Sequence, residues 1–137
     1  MTHWLGHYLA ARYEDGARGP DAYDCWGAVR EIRHLHLGCA LLPSWGHVRN
    51  TMPREFTRAY REVAATMEQC APEPGAVATV YRGALMLHVG VVFELEGRLA
   101  VFEFSQRTGA RWRRVADFEA QYPRVAYYRD SHLPQQA

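Results

Sequence analysis

The chain has 137 residues, 48% hydrophobic and 23% charged, which suits one domain with a sizeable core and leaves no room for a second. Lys and Arg number 16 against 15 Asp and Glu, and the basic residues are scattered apart from "RWRR" at 111–114, so nucleic-acid binding has little support. No apolar run reaches membrane-spanning length and the start "MTHWLGHYLAARYEDG" is broken by His3, His7 and Arg12, so no membrane span or secretory signal is expected and the chain is expected to be cytoplasmic as synthesised.

Trp4, Leu5, Tyr8 and Leu9 recur at helical spacing and predict a short first helix, ending before "YEDGARGPDAYD", whose Gly, Pro and Asp content marks a loop. Asp24 then serves as N-cap for a second helix from Cys25 to about Leu37, closed by Gly38, with Val29, Ile32 and His36 following Cys25 along one face. Phe56, Tyr60, Val63, Ala64 and Met67 form the apolar stripe of a third helix, with Pro53 near its start. After "APEPG" the texture changes. "AVATVY" (76–81), "HVGVVFEL" (88–95), "RLAVFEF" (98–104) and "VAYYR" (125–129) are β-branched and aromatic runs, the second and third joined across "EG" as a hairpin. "RWRR" reads as a solvated strand face or as a contact for an anionic glycan polymer. The closing "SHLPQQA" (131–137) reads as a flexible tail after a single domain over 1–130. Helices followed by an antiparallel sheet make the class α+β.

Cys25, Cys39 and Cys70 are odd in number, with no C-x-x-C pairing and no Cys/His spacing of a zinc site, so neither a disulfide framework nor a metal is expected. Cys25 falls in the first turn of the second helix. A thiol there meets unpaired backbone N–H groups and the positive end of the helix dipole, which favour the nucleophilic thiolate. It needs a proton acceptor, and of the seven histidines His88, opening a strand, is best placed. His34 and His36 lie along the Cys25 helix and project away from its start, while His3, His7, His47 and His132 occupy terminal or loop-like segments. Against this stands the plainer reading of Cys25 and His88 as a satisfied core pair, and Cys39 and Cys70 read as buried or half-buried thiols.

A cysteine on a helix start and a histidine on a later strand is the layout of papain-like cysteine enzymes. "RYEDGA" (12–17), "DCWGAVREI" (24–32), "PEPGAVATVYRG" (72–83) and "HVGVVF" (88–93) stand in the order of the motifs of NlpC-type cell-wall peptidases, which the chain resembles over nearly its whole length. Trp26 after the cysteine, and "LG" followed by "LLP" at 41–43, resemble the phage-tail and prophage subgroup. The resemblance implies a papain-like domain with Cys25 as nucleophile and His88 as general base. It puts Tyr13, twelve residues before the cysteine, near the oxyanion site, with Asp24 and Trp26 in the same oxyanion and substrate region. The third position departs from the family. Where a histidine is usual the string is "VFEFSQ", which puts Glu103 there, opposite Phe102 and Phe104 in the alternation, with Gln106 as the other candidate. Ala76 stands where the family has aspartate.

What the resemblance implies is a cysteine peptidase acting on peptidoglycan stem peptides, at the γ-D-glutamyl to diamino acid amide, without metal or cofactor. Its partners would be the stem peptide and phage tail proteins, with the virion tail as a second location, and no nucleic acid or membrane. Two other readings stay open. One is a non-catalytic tail component of the same fold, favoured by Glu103 in place of histidine. The other is a different Cys/His acyl-transfer enzyme, such as an interbacterial amidase effector.

Overall fold

The computed structural model describes residues 3–45 and 52–131; His47, His132 and the rest of the expected tail lie outside the described residues. Helix α1 (Leu5–Ala10) forms where the helical spacing places it, with Trp4, Leu5 and Tyr8 buried and Leu9 exposed. The loop that follows carries more order than its composition suggests. Strands β1 (Arg12–Tyr13) and β2 (Ala22–Tyr23) pair in parallel, and Arg18 bridges to Tyr23 between them.

Helix α2 (Cys25–Glu31) begins at its Asp24 cap, but it does not continue to Leu37 as an α-helix. Residues Ile32–His36 form a π-helical turn, and within it Arg33 is wholly buried. A buried guanidinium must be paired. Arg33 donates from Nε to the Gly75 carbonyl at 2.7 Å and from Nη2 to the Asp130 carboxylate, so backbone geometry and charge pairing meet at this turn.

Helix α3 (Pro53–Ala64) has proline at its first position and buries Phe56, Ala59, Tyr60 and Val63. Met67, expected on the same stripe, belongs instead to β3 (Met67–Cys70). The helix closes earlier because the Thr66 hydroxyl and backbone N–H both return to the Val63 carbonyl, at 2.7 and 2.8 Å. The next residues then pair with a strand far along the chain, Met67 opposite Asp130 and Cys70 opposite Tyr127.

The remaining strands are β4 (Val77–Arg82), β5 (Leu85–Leu95), β6 (Arg98–Ser105), β7 (Gly109–Arg114) and β8 (Arg124–Asp130), with a short α4 (Val115–Ala120) before the last. They form one six-stranded sheet in the order β3-β8-β4-β5-β6-β7, antiparallel throughout, and the architecture is α+β. The β5–β6 hairpin turns at Glu96 and Gly97, both at positive φ (56° and 77°), the conformation that two-residue hairpins require. "RWRR" lies on β7 at the sheet edge. Its residues are half-buried rather than the solvated face expected, since Arg111 pairs inward with Glu103 and Arg114 donates to the Leu95 carbonyl.

Both faces of the sheet are covered. On one, α1, α2 and α3 pack Tyr8, Val29, Ile32, Phe56 and Tyr60 against Val89, Val91, Phe93, Phe102 and Phe104. Each such fully buried apolar side chain contributes about 1.5–3 kcal/mol. On the other, Phe118 of α4 packs against Ala78, Val80, Val92 and Val101. Among the described residues no helix is long and apolar enough to cross a membrane.

Candidate active site

Asp24 sets the start of α2. Its Oδ1 accepts from the Gly27 backbone N–H and from Arg18 Nη1, both at 2.8 Å, and its Oδ2 accepts from the Gly16 N–H at 3.0 Å. One buried carboxylate therefore caps the helix and fastens the preceding loop to it. Gly27 is needed for the same junction. A Cβ there would lie 2.4 Å from the Ala17 carbonyl oxygen, so any side chain would push the loop off the helix. Arg18 extends the tie, donating to the carbonyls of Ser44 and Trp45 at 2.7 and 2.9 Å.

Cys25 sits in the first turn of α2, 1% exposed and packed in the helix-side core. The thiolate expected from its helix position is not what the surroundings favour. Burial pushes the thiol up and the adjoining Asp24 carboxylate adds to this, outweighing the backbone N–H groups of Val89 and Trp26 and the Arg18 cation, which pull it down. The resting residue is a neutral thiol held against the N–H of Val89. Tyr13 stands beside it. Burial first, then the neighbouring Cys25 and Asp24, push the Tyr13 hydroxyl up, so it stays protonated, and its ring meets the edge of Phe104 at 5.7 Å.

The Trp26 side chain is committed to packing. Its Nε1 donates to the Pro43 carbonyl at 2.9 Å and its ring stacks on Trp45 at 4.9 Å, so what it offers the thiol is its backbone N–H.

His88 lies at an irregularity in β5. Val80 pairs with His88 but Tyr81 pairs with Met86, leaving Leu87 as an extra residue. This bulge changes the alternation, so Met86 and Val89 both face the helix-side core. The His88 ring turns to the α4 side and meets Glu103. Nε2 and Oε1 are 2.9 Å apart, and both residues are buried. Glu103 has further donors: Tyr122 to Oε1 at 2.5 Å and Arg111 Nε to Oε2 at 2.8 Å. Burial alone would raise its carboxyl, but the hydrogen bonds of His88, Tyr122 and Arg111, with the His88 charge, bring it down to about 2. An ionised carboxylate can only accept, so the proton in the bond sits on Nε2. Gly90 allows the cover over this region. A Cβ there would lie 2.8 Å from the Phe102 carbonyl oxygen and from Val101, and 3.6 Å from Phe118 of the α4 layer.

The structure thus brings together His88 and Glu103, and separately Cys25, Tyr13 and the N–H of Val89, the residue next to His88. Among the described residues no hydrogen bond joins the Cys25 thiol to the His88 ring, and Nδ1 has no hydrogen-bond partner. Gln106 is exposed in the β6–β7 turn and does not contact His88. Cys39 and Cys70 are half-buried free thiols, and His34 and His36 engage the Cys39 carbonyl and the Tyr8 hydroxyl. The sequence points to Arg111 only as part of "RWRR" and does not point to Tyr122. The signals available were the Phe118 and Tyr122 spacing closed by Pro123, and an arginine placed to pair across the β6–β7 hairpin with Glu103. Among the described residues no group of three or more His, Cys, Asp or Glu side chains could hold a metal ion. No protein-family model, no curated protein and no solved structure matches the chain.

Proposed function

We propose that this chain is a papain-like cysteine peptidase of the NlpC type, with Cys25 as nucleophile, His88 as general base and Glu103 as the residue that orients and charges the base. The observation that carries the reading is the buried His88–Glu103 pair, one residue from the backbone N–H that meets the Cys25 thiol. With Nε2–H held by Glu103, the lone pair of Nδ1 takes the thiol proton as the sulfur attacks the amide carbonyl. Glu103 stabilises the resulting imidazolium. Collapse of the tetrahedral intermediate passes that proton to the leaving amine and leaves an acyl thioester on Cys25. Water, deprotonated by the same ring, resolves the thioester. Tyr13, protonated and close enough to Cys25 to feel its charge, is the side-chain donor this reading assigns to the oxyanion.

The substrate, a peptidoglycan stem peptide cleaved at the γ-D-glutamyl to diamino acid amide, rests on the resemblance of the four motifs in order, as does a phage-tail assembly that would bring the enzyme to the wall. The test is hydrolysis of purified muropeptides. Cleavage by the wild type that is lost in Cys25→Ala and in His88→Ala supports the reading. The losses should not add in the double variant, because nucleophile and base act as a unit. Undiminished cleavage by Cys25→Ala ends it.

A second reading is favoured by one observation. Cys25 is 1% exposed, its thiol is pushed up, and no hydrogen bond links it to His88. A structural protein retaining the fold with an idle dyad would have these features. It predicts no muropeptide cleavage by the wild type under any condition in which the fold is intact.

A further inference from the structure

A pocket of about 270 Å³ lies between α3, the β4–β5 hairpin and β8, and none of Cys25, Tyr13, His88 and Glu103 lines it. Its walls carry the rings of Tyr60, Tyr81 and Tyr128, with Arg61 entering from α3 and Arg124 from β8. Burial pushes the Tyr60 and Tyr128 hydroxyls up, so both stay neutral, and among the described residues no acidic side chain lines the space. The charge of the pocket is therefore that of its two guanidiniums. Among the described residues no ion pair involves either of them. Arg61 also continues an exposed ridge of α3 with Arg54 and Arg58, spaced as neighbours on one helix face and likewise unpaired among the described residues.

Arg124 is held in place without being neutralised. Its guanidinium lies over the Tyr81 ring, 4.0 Å from the centroid, and its Nη2 donates to the Gly83 carbonyl at 3.3 Å. Nε and Nη1 make no hydrogen bond among the described residues. The Tyr128 hydroxyl bonds to that of Tyr81, and two hydroxyls sharing one bond leave one O–H proton over. Tyr60 meets Tyr128 edge-on, with ring centroids 5.7 Å apart, so the polar groups stand beside an aromatic wall. A planar carboxylate matches one guanidinium fork, whereas a phosphoryl group has oxygens enough to accept from two forks on separate elements and from a phenol as well. We propose that this pocket is a binding site for a phosphate ester carried on a ring, with the phosphoryl group between Arg61 and Arg124 and the ring against the tyrosines. The site is separate from the cysteine and histidine of the peptidase reading and does not depend on it.

Calorimetric titration at low salt with phenyl phosphate, glucose 1-phosphate and inorganic phosphate tests it. At least one ester should bind saturably and more tightly than inorganic phosphate, and the tighter of the two tells whether the ring is aromatic or a sugar. Arg61→Gln, an exposed change that spares the core, should weaken that ester at least about tenfold, as expected for a charge-assisted hydrogen bond. Tyr81→Phe, which keeps the ring under Arg124, should weaken it severalfold, and Arg98→Gln, exposed on the β5–β6 hairpin, should leave it unchanged. No saturable binding, esters no tighter than inorganic phosphate, or an affinity that Arg61→Gln leaves intact or Arg98→Gln reduces equally overturns the proposal. Catalysis is not read in these titrations, so loss of the Cys25 reading in the muropeptide assay would leave their outcome untouched.

Discussion

Arg111 and Glu103 stand directly opposite each other on β7 and β6, and the guanidinium takes one carboxylate oxygen while His88 and Tyr122 share the other. Three donors thereby hold a buried anion, and the histidine is fixed by a group that is itself fixed. Removing one partner of such a buried charge network costs about 3–5 kcal/mol.

If Glu103 orients His88, Glu103→Gln should lower kcat by about 100-fold or more with KM little changed, because an amide does not stabilise the imidazolium and can present its NH2 to Nε2. Glu103→Ala should be worse. Gln106→Ala, altering only an exposed turn residue, should leave turnover unaltered. Steady-state kinetics on muropeptides checks all three, and a large loss in Gln106→Ala would reassign the third position.

The depressed Glu103 carboxyl also makes stability depend on pH. A group lowered from 4.5 to about 2 contributes stability that is present in full above about pH 5 and is lost as pH falls through about 2. The contribution is on the order of 3 kcal/mol. Urea midpoints at pH 7 and pH 3 should therefore converge more for Glu103→Gln than for wild type, and equal slopes would show that Glu103 is not ionised in the fold.

Cys25 should behave as a buried neutral thiol between turnovers. Its rate of alkylation by iodoacetamide should keep rising with pH through about 9, without the plateau that a stable thiolate–imidazolium pair gives near neutrality. Peptide mapping separates it from the half-buried Cys39 and Cys70. A flat profile from about pH 6 to 8 would mean that the ion pair already exists in the resting protein.

The cap of α2 is a stability prediction independent of catalysis. Asp24→Ala removes three hydrogen bonds and leaves Arg18 without its carboxylate, and should cost about 3 kcal/mol in urea unfolding. Asp24→Asn keeps the cap and should cost markedly less. Gly27→Ala, forced to within 2.4 Å of the Ala17 carbonyl, should match or exceed the alanine variant at Asp24.

What could be read from the sequence was what neighbours in the chain decide. Asp24 before an apolar helical run announced the cap, and strand alternation placed Glu103 away from Phe102 and Phe104. The contact between Glu103 and His88 needed only the β5–β6 hairpin, whose "EG" turn is short and unambiguous. Features decided by distant partners were hidden. Met67 continued a helical stripe, and only its pairing with β8 made it a strand residue. The state of the Cys25 thiol depended on how deeply helices and sheet together bury it, which the local helix dipole did not foretell. Arg111 and Tyr122 entered the site through the β6–β7 register and a helix of only six residues, too short for periodicity to reveal.

The position of β8 bears on how the protein comes into being. Among the described residues it is the last strand in sequence, yet it lies between β3 and β4, and its Asp130 supplies the carboxylate for the buried Arg33. While a ribosome still holds that segment, β3 has no neighbour, one side of β4 is bare, and a guanidinium destined for the interior has no counter-charge. The earlier helices and the β4–β7 meander can assemble as they emerge, but the finished sheet must await release of the last strand. A nascent chain stalled before Arg124 should remain open to proteases and chaperones at the β4 edge, and acquire its native resistance in one step afterwards.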